Sequence, residues 1–349
     1  MEIIHDTLIN WYAENHRDLP WRHHPTPYQV WLSEVILQQT RVNQGRDYYL
    51  RFIERWPTVT DLAQASEEEV LKMWQGLGYY SRARNLHYCA KQVMEDYGGQ
   101  FPADYERLKQ LKGIGDYTAA AIASIAFNLP YAVVDGNVYR VLARLYDIET
   151  PINNNEGQTL FARLANELLD REQPGLHNQA MMEFGALHCT PKNPNCLHCP
   201  LRAQCLGFAH QTLMQRPVKL AKVKVTRRHF NYLVIKIKDS VYLHKRSGND
   251  IWKNLYDFPC IESDAPMTAD EVVATEQFQQ LIESKHFTIT KVSPVFTHKL
   301  THRTLLAQFI ELKLDDELLQ IQTKDLFLTR ESDLGNYPIP RLIDLYLNT

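Results

Sequence analysis

An all-α domain followed by a smaller α+β domain is the fold class that the sequence predicts, and three observations carry it. Through residue 212 apolar residues recur at three- and four-residue spacing, as in "VWLSEVILQQTRV" and "VYRVLARLY", and few segments alternate as strands would. Beyond residue 228 the character changes: "HFNYLVIKIK", "SVYLHKR" and "RTLLAQFIELKL" are rich in β-branched and aromatic residues. Between them, "RPVKLAKVKVTRR" (residues 216–228) holds six basic residues, one proline and no acid. It reads as a connecting arm or as a strip lying along phosphates. A chain of 349 residues exceeds one ordinary core, so the expected organisation is 1–212 helical, 213–228 basic linker and 229–349 α+β.

The opening "MEIIHDTLIN" carries acids where a secretion signal carries bases. The one long uncharged run, residues 117–134, is interrupted by Ser124, Asn128 and Pro130, which suits a buried helix and turn better than a membrane span. A cytoplasmic protein is expected. Its 44% hydrophobic and 23% charged residues are those of a soluble globular chain. With a net charge of only -3, any surface for nucleic acid must be local. Thr60 and Ser66 read as helix N-caps, Ser66 with Glu69 as a capping box, and "ADEVVATEQFQQLIE" reads as a helix between the strands. Gly113 and Gly115 allow a sharp turn between the helices "DYERLKQL" and "YTAAAIASIAF", the second starting near Asp116. Its free backbone N–H groups would suit a phosphate, although an ordinary helical hairpin accounts for the turn equally well.

Three groups of residues carry possible chemistry. Six cysteines in a reducing compartment argue against a disulfide framework. Four of them, Cys189, Cys196, Cys199 and Cys205, are spaced C-x6-C-x2-C-x5-C, which suits a tetrathiolate site holding either zinc or an iron–sulfur cluster. Cys89 and Cys260 read as ordinary buried thiols. Glu34, Gln38 and Arg41 fall on roughly one helical face among apolar neighbours, where burial would raise a carboxyl pKa; a solvated helix glutamate is the plainer reading. Asp135 reads as the N-cap of the helix starting near Asn137.

"LKGIGDYTAAAIASIAF", followed by "VVDGNVYRVLAR", resembles the helix-hairpin-helix DNA glycosylase superfamily, and "SEVILQQT" resembles the signature of its MutY-type adenine DNA glycosylases. The resemblance covers nearly the whole chain. It implies that Gly113 and Gly115 grip one DNA strand through the backbone, that Asp135 stabilises the developing sugar cation, and that Glu34 is the general acid/base that protonates the purine. Tyr117 stands where strand-cutting members carry a Schiff-base lysine, which implies hydrolysis by water with little or no strand cleavage; Lys109 and Lys112 leave weak lyase activity open. The cysteine pattern matches the superfamily's 4Fe–4S loop, whose Lys192 and Arg202 would reach phosphates.

The same resemblance puts Arg22 near the adenine pocket, Gln179 at a position often held by glutamate, and Asn137 among the DNA-binding positions. Gln39 and Thr40 would face the opposite strand, and Leu77 and Tyr79 would enter the duplex while the adenine is flipped out. The C-terminal part resembles a NUDIX-like domain that reads 8-oxoguanine through Phe296, Thr297 and His298, with His302 structural. Lacking the hydrolase signature in "ADEVVATEQFQQLIESKHF", it is expected to recognise without hydrolysing pyrophosphate. The implied activity is monofunctional removal of adenine opposite 8-oxoguanine, with guanine as a further opposing base, in duplex DNA. The implied protein is a monomer associated with the nucleoid, with no membrane partner. Two rivals stand behind it: an endonuclease III-like glycosylase/lyase for oxidised pyrimidines and a non-catalytic DNA-binding scaffold. Tyr117, Glu34 and the extra domain favour the adenine enzyme over the first, and Glu34 with Asp135 over the second.

Overall fold

The computed structural model describes residues 2–220, 225–282, 286–314 and 326–349. Contacts between Cα atoms divide the chain into two units, Met1–Gln64 with Asn85–Ala221, and Ala65–Arg84 with Lys222–Thr349. Composition marks only the change near residues 213–228; the excursion of residues 65–84 into the C-terminal unit has no compositional trace.

The helices run in chain order α1 (Glu2–Asn15), α2 (Pro27–Leu37), α3 (Val42–Arg55), α4 (Val59–Gln64), α5 (Glu67–Trp74), α6 (Ser81–Tyr97), α7 (Tyr105–Gln110), α8 (Asp116–Phe127), α9 (Gly136–Leu145), α10 (Asn155–Leu168), α11 (Pro174–Leu187) and α12 (Leu206–Ala209). Helix α5 lies in the second unit. Helix α2 starts on a capping box between Thr26 and Gln29, with Pro27 supplying a preset φ in the first turn. Ser66 and Glu69 form the expected box at α5. Thr60, by contrast, is not a cap. It lies inside α4, where the cap is Thr58, whose hydroxyl accepts from Asp61 N at 3.2 Å, while the Thr60 hydroxyl faces the Met94 sulfur.

The helical face expected for Glu34, Gln38 and Arg41 also breaks. Helix α2 ends at Leu37, Gln38 is non-helical, Gln39 turns to φ 57°, and Arg41 caps the next helix. One core joins Leu8 and Tyr12 of α1, Val138, Val141 and Leu142 of α9, Phe161 of α10 and Phe184 of α11. Helix α8 packs on both α2 and α11, and its small Ala120 and Ala121 are fully or nearly buried.

In the second unit the described residues form one mixed sheet. Its strands are β1 (Thr226–Ile237), β2 (Ser240–Lys245), β3 (Tyr256–Asp257), β4 (Cys260–Ser263), β5 (Phe287–Val292), β6 (Phe296–Lys299), β7 (Arg303–Leu314) and β8 (Leu326–Arg330). The order is β3-β2-β1-β7-β5, with β4 on β1, β6 on β7 and β8 on β2. Among the described residues only β1 and β7 pair in parallel. The helix expected over "ADEVVATEQFQQLIE" is two, α13 (Ala269–Val273) and α14 (Glu276–Leu281). The break comes at Thr275, which turns extended and accepts from Phe278 N, capping α14 afresh. Val272 and Phe278 bring these helices onto Leu233, Ile235, Ile310 and Leu312 of the sheet. Helix α15 (Arg341–Leu347) adds Tyr346, stacked on Phe309 with centroids 4.1 Å apart.

Both described ends of the basic arm are already paired. Arg216 is buried against Asp147 (2.9 Å) and Glu149 (2.7 Å), and Arg228 meets Asp250 (2.7 Å) and Glu262. These two arginines are therefore structural rather than open to phosphate; residues 221–224 lie outside the described residues. Among the described residues no helix is long and apolar enough to cross a membrane.

Candidate active site

Packing of α8 on α2 faces Tyr117 toward Glu34, and the phenol donates a hydrogen bond to the carboxylate. The Tyr117 oxygen also lies 3.9 Å from the Met182 sulfur of α11. Burial pushes the Glu34 pKa up to about 7; the Tyr117 hydrogen bond opposes this, neighbouring Asp135 reinforces it, and Arg22 opposes it. Burial, then the charges of Glu34 and Asp135, raise the phenol well above its ordinary value.

Asp135 is the N-cap of α9, accepting from Asn137 N (2.9 Å), Val138 N (2.8 Å) and Asn137 Nδ2 (2.6 Å). Burial raises its pKa against these donors. The N-cap expected at Asp135 is therefore present. Asn137 is fixed in turn by Arg140, whose Nη2 donates to its Oδ1 at 2.8 Å. Gly185 on α11 makes this junction possible: a Cβ there would stand 2.7 Å from Asn137 Cβ and 2.9 Å from its carbonyl oxygen.

Opposite lies an ion-pair cluster with no local sequence signal. Glu183 accepts from Arg17 N (2.9 Å), Nε (2.8 Å) and Nη2 (2.6 Å), and from Arg22 Nη1 (3.1 Å) and Nη2 (2.7 Å). Burial alone would raise its pKa; these donors instead hold it down at about 2. Arg22 also lies over the Tyr12 ring, 5.6 Å from the centroid, and the Tyr12 hydroxyl donates to Gln179 Oε1 at 3.0 Å. Glu183, Arg17 and Tyr12 were not foreseen, because their partners lie more than 150 residues away in the chain.

Glu183 and Arg17 line, with Glu34, Tyr117 and Asp135, one cavity of about 460 Å³, in the size range of small-ligand sites. Arg22, Glu34, Tyr117 and Asp135 meet there, and Gln39, Thr40, Asn137 and Gln179 complete the set of expected residues that the cavity gathers. The remaining expected residues stand elsewhere.

In the hairpin between α7 and α8 the two glycines differ. Gly113 has φ 81°, and a Cβ there would sit 2.9 Å from Asn85 Cβ, so only glycine fits. Gly115 has φ -95°, open to any residue, and an added Cβ would meet nothing within 4 Å. It is not required by the turn, as the sequence reading supposed; it leaves the head of α8 bare. Helix α8 begins at Asp116, as expected, and no side chain caps it.

Within the second unit, Leu77 is buried at 8% exposure whereas Tyr79 is 49% exposed at φ 49°. Phe296, Thr297 and His298 lie in β6, so their side chains alternate. Phe296 packs edge-on against Phe309 at 5.5 Å, His298 lies 6.1 Å from Trp252 and is part-buried, and Thr297 faces outward.

The four cysteines of residues 189–205 are all half-buried, and Cys205 Sγ lies 3.4 Å from the Arg144 carbonyl of α9. Cys189, Cys199 and Cys205 pack on the core that contains Val141, Leu142 and Leu201. Arg144 reaches in from α9, donating to the carbonyls of Thr190 (2.7 Å), Pro191 (3.2 Å) and Leu213 (3.0 Å), with Nη1 3.5 Å from Cys189 Sγ. Burial raises the Cys199 thiol to about 11, and the charges of Cys189, Cys196 and Cys205 add to the rise. Among the described residues no three His, Cys, Asp or Glu side chains gather as a site for a single metal ion. Cys89 is fully buried, and burial raises the Cys260 thiol well above its ordinary value.

Residues 32–167 match the HhH-GPD superfamily of base excision DNA repair proteins, and residues 231–349 match the NUDIX domain. An adenine DNA glycosylase of Buchnera aphidicola (subsp. Baizongia pistaciae) is 34% identical over 87% of this chain and 84% of its own. The adenine DNA glycosylase of Rattus norvegicus is 48% identical over 60% of this chain and 42% of its own. Among solved structures, a thermostable thymine-DNA glycosylase superposes with a TM-score of 0.56 at 28% identity, covering 60% of this chain and 96% of its own. A non-covalent endonuclease III–DNA complex shares the fold, with a TM-score of 0.52 at 24% identity over 60% of this chain and 95% of its own.

Proposed function

The chain belongs to the adenine DNA glycosylases, base-excision enzymes that release adenine, and on that premise we propose that its substrate is adenine opposite 8-oxoguanine in duplex DNA. One observation supports the chemistry above all others: Glu34, its pKa pushed up to about 7, shares a cavity with Asp135 and, among the described residues, with no lysine.

With its pKa pushed up to about 7, Glu34 can hold a proton near neutral pH, give it to a purine ring nitrogen and turn adenine into a neutral leaving group. The sugar then gains positive charge. Asp135, fixed by three donors at the head of α9, needs no rearrangement to face that charge and stabilises it. Deprotonated Glu34 next takes a proton from the attacking water, which completes hydrolysis. Tyr117 forms no Schiff base; its hydroxyl orients the Glu34 carboxyl and offsets part of the burial. Arg22, locked by Glu183, and Gln179, locked by Tyr12, give the flipped base a rigid polar wall.

The cysteine loop suits a 4Fe–4S cluster in its donor chemistry: four cysteines supply soft sulfur donors, and the Arg144 guanidinium, 3.5 Å from Cys189 Sγ, would offset negative charge. Cys189, Cys196, Cys199 and Cys205 would hold it. A cluster held there would cross-link the loop that carries the exposed Lys192 and Arg202, two cations suited to phosphates. The duplex is the partner, met by a monomer in the nucleoid, with the bare head of α8 and Thr297 among its contacts.

Single-turnover cleavage of labelled duplexes, with and without alkali, tests this reading. Alkali-dependent breaks at adenine opposite 8-oxoguanine are expected, faster than opposite guanine. Alkali-independent breaks at an oxidised pyrimidine would overturn the assignment of Tyr117.

A further inference from the structure

Residues 65–84 interrupt the first unit and belong by their contacts to the second. The attachment is polar and specific. Tyr256 donates its hydroxyl proton to Glu68 Oε2 at 2.8 Å, Lys72 Nζ donates to the Tyr337 carbonyl at 2.9 Å, the Tyr80 hydroxyl donates to the Ile339 carbonyl at 3.2 Å, and Arg84 Nη1 donates to the Lys253 carbonyl at 2.9 Å. Between these anchors the backbone is left-handed at three of four positions: Gly76 (φ 98°), Gly78 (φ 72°) and Tyr79 (φ 49°). Glycine takes such angles freely; a bulky tyrosine does not, so its surroundings must hold it there.

Part of the hold comes from the segment itself. Trp74 Nε1 donates to the Gly78 carbonyl at 2.9 Å, and the Arg82 guanidinium lies over the Tyr79 ring, 5.4 Å from its centroid. Beyond the segment, the Tyr79 side chain itself meets a distant hydroxyl. The Tyr79 hydroxyl lies 3.0 Å from the Thr301 hydroxyl, 222 residues away. Thr301 sits in the turn between β6 and β7, at the tip of the hairpin whose first strand carries Phe296, Thr297 and His298.

We propose that Thr301 is a positioning residue: from the tip of the reader hairpin it sets the height of the exposed Tyr79 ring, so that the wedge and the lesion-reading strand form one preassembled device. The proposal rests on the functional reading above, in which Tyr79 enters the duplex and β6 reads 8-oxoguanine. It gives the excursion of residues 65–84 a purpose. A wedge carried with the reader enters the stack in register with the base being read, and discrimination between 8-oxoguanine and guanine draws on both.

The test is a double-mutant cycle on the full-length protein. Dissociation constants are measured for duplexes with a cleavage-resistant 2′-fluoro adenosine opposite guanine and opposite 8-oxoguanine, and their ratio is the readout. Tyr79→Phe keeps the ring and loses only the hydroxyl; Thr301→Val keeps the shape and loses its partner. Each is expected to shrink the ratio by about 2- to 10-fold, the worth of one ordinary hydrogen bond. The double variant should lose no more than either single one, and Thr301→Ser should restore the ratio. An unchanged ratio in Thr301→Val, or losses that multiply in the double variant, would overturn the coupling. A wild-type protein with no preference for 8-oxoguanine would instead overturn the functional reading itself.

Discussion

Glu34 and Glu183 line the same cavity, and burial acts on both in the same direction, yet their pKa values lie at about 7 and about 2. The difference is the number and charge of donors. Glu34 receives one neutral phenol and faces another carboxyl; Glu183 receives five N–H donors, one from backbone and four from two guanidiniums. Burial therefore makes a carboxyl basic only where the fold withholds cations. The first glutamate is equipped to trade protons, the second to stay charged and hold arginines still.

Removing the reactive member should have the largest effect. Glu34→Gln is expected to slow single-turnover adenine release by about 100- to 10,000-fold, the usual worth of a general acid, while binding to the lesion duplex persists. A normal rate would take Glu34 out of the mechanism.

Breaking the structural member should cost stability. Glu183→Gln leaves Arg17 and Arg22 without their carboxylate and is expected to lower unfolding free energy by about 3 kcal/mol near neutral pH. Because the native Glu183 pKa is depressed, its contribution is present above about pH 4.5 and is lost as pH falls toward 2. Denaturant titrations of variant and wild type should therefore converge in acid. Curves that stay parallel would exclude the ion-pair account.

The opposite sign applies to Glu34. Its native pKa is raised, so its contribution is fully present below pH 4.5 and is lost as pH rises through about 7. Glu34→Gln, permanently neutral, should thus be more stable than wild type at pH 8, by about 1–3 kcal/mol, and not at pH 4. Denaturant midpoints at the two pH values check this, and equal midpoints at pH 8 would place the carboxyl in solvent.

The smallest effects are shifts of the alkaline limb of the cleavage rate, which falls near pH 7 as Glu34 loses its proton. Tyr117→Phe removes a bond that favours the charged form and should move the limb up by as much as about one unit. Glu183→Gln unmasks the positive charge of Arg22 and should move it down. Limbs moving together in one direction would mean that the two walls do not act separately on Glu34.

How much of this was legible depended on the distance over which each feature is decided. The α5 capping box, the start of α8, the strand runs and the capping by Asp135 were readable, because each is settled within a few residues. The single helix drawn over "ADEVVATEQFQQLIE" failed on a local detail: Thr275 offers its hydroxyl as a fresh cap where the helical spacing of apolar residues continues unbroken. The face joining Glu34, Gln38 and Arg41 failed because Gln39 turns left-handed, which apolar periodicity does not register.

By itself the sequence determined residue types and local geometry: four cysteines at tetrathiolate spacing, a glutamate in an apolar helix, a glycine at the sharp turn of the hairpin, and a tyrosine in the first turn of the helix that follows. Tertiary structure alone decided which groups became neighbours. It gave Glu183 its two arginines, Gln179 its tyrosine, and Tyr79 its threonine 222 residues away, and it moved residues 65–84 into the second unit. The physical reason is that caps, turns and helical faces answer to forces that end within a turn or two of chain. Burial, ion pairing and pKa depend on whatever the packed fold brings within a few ångströms.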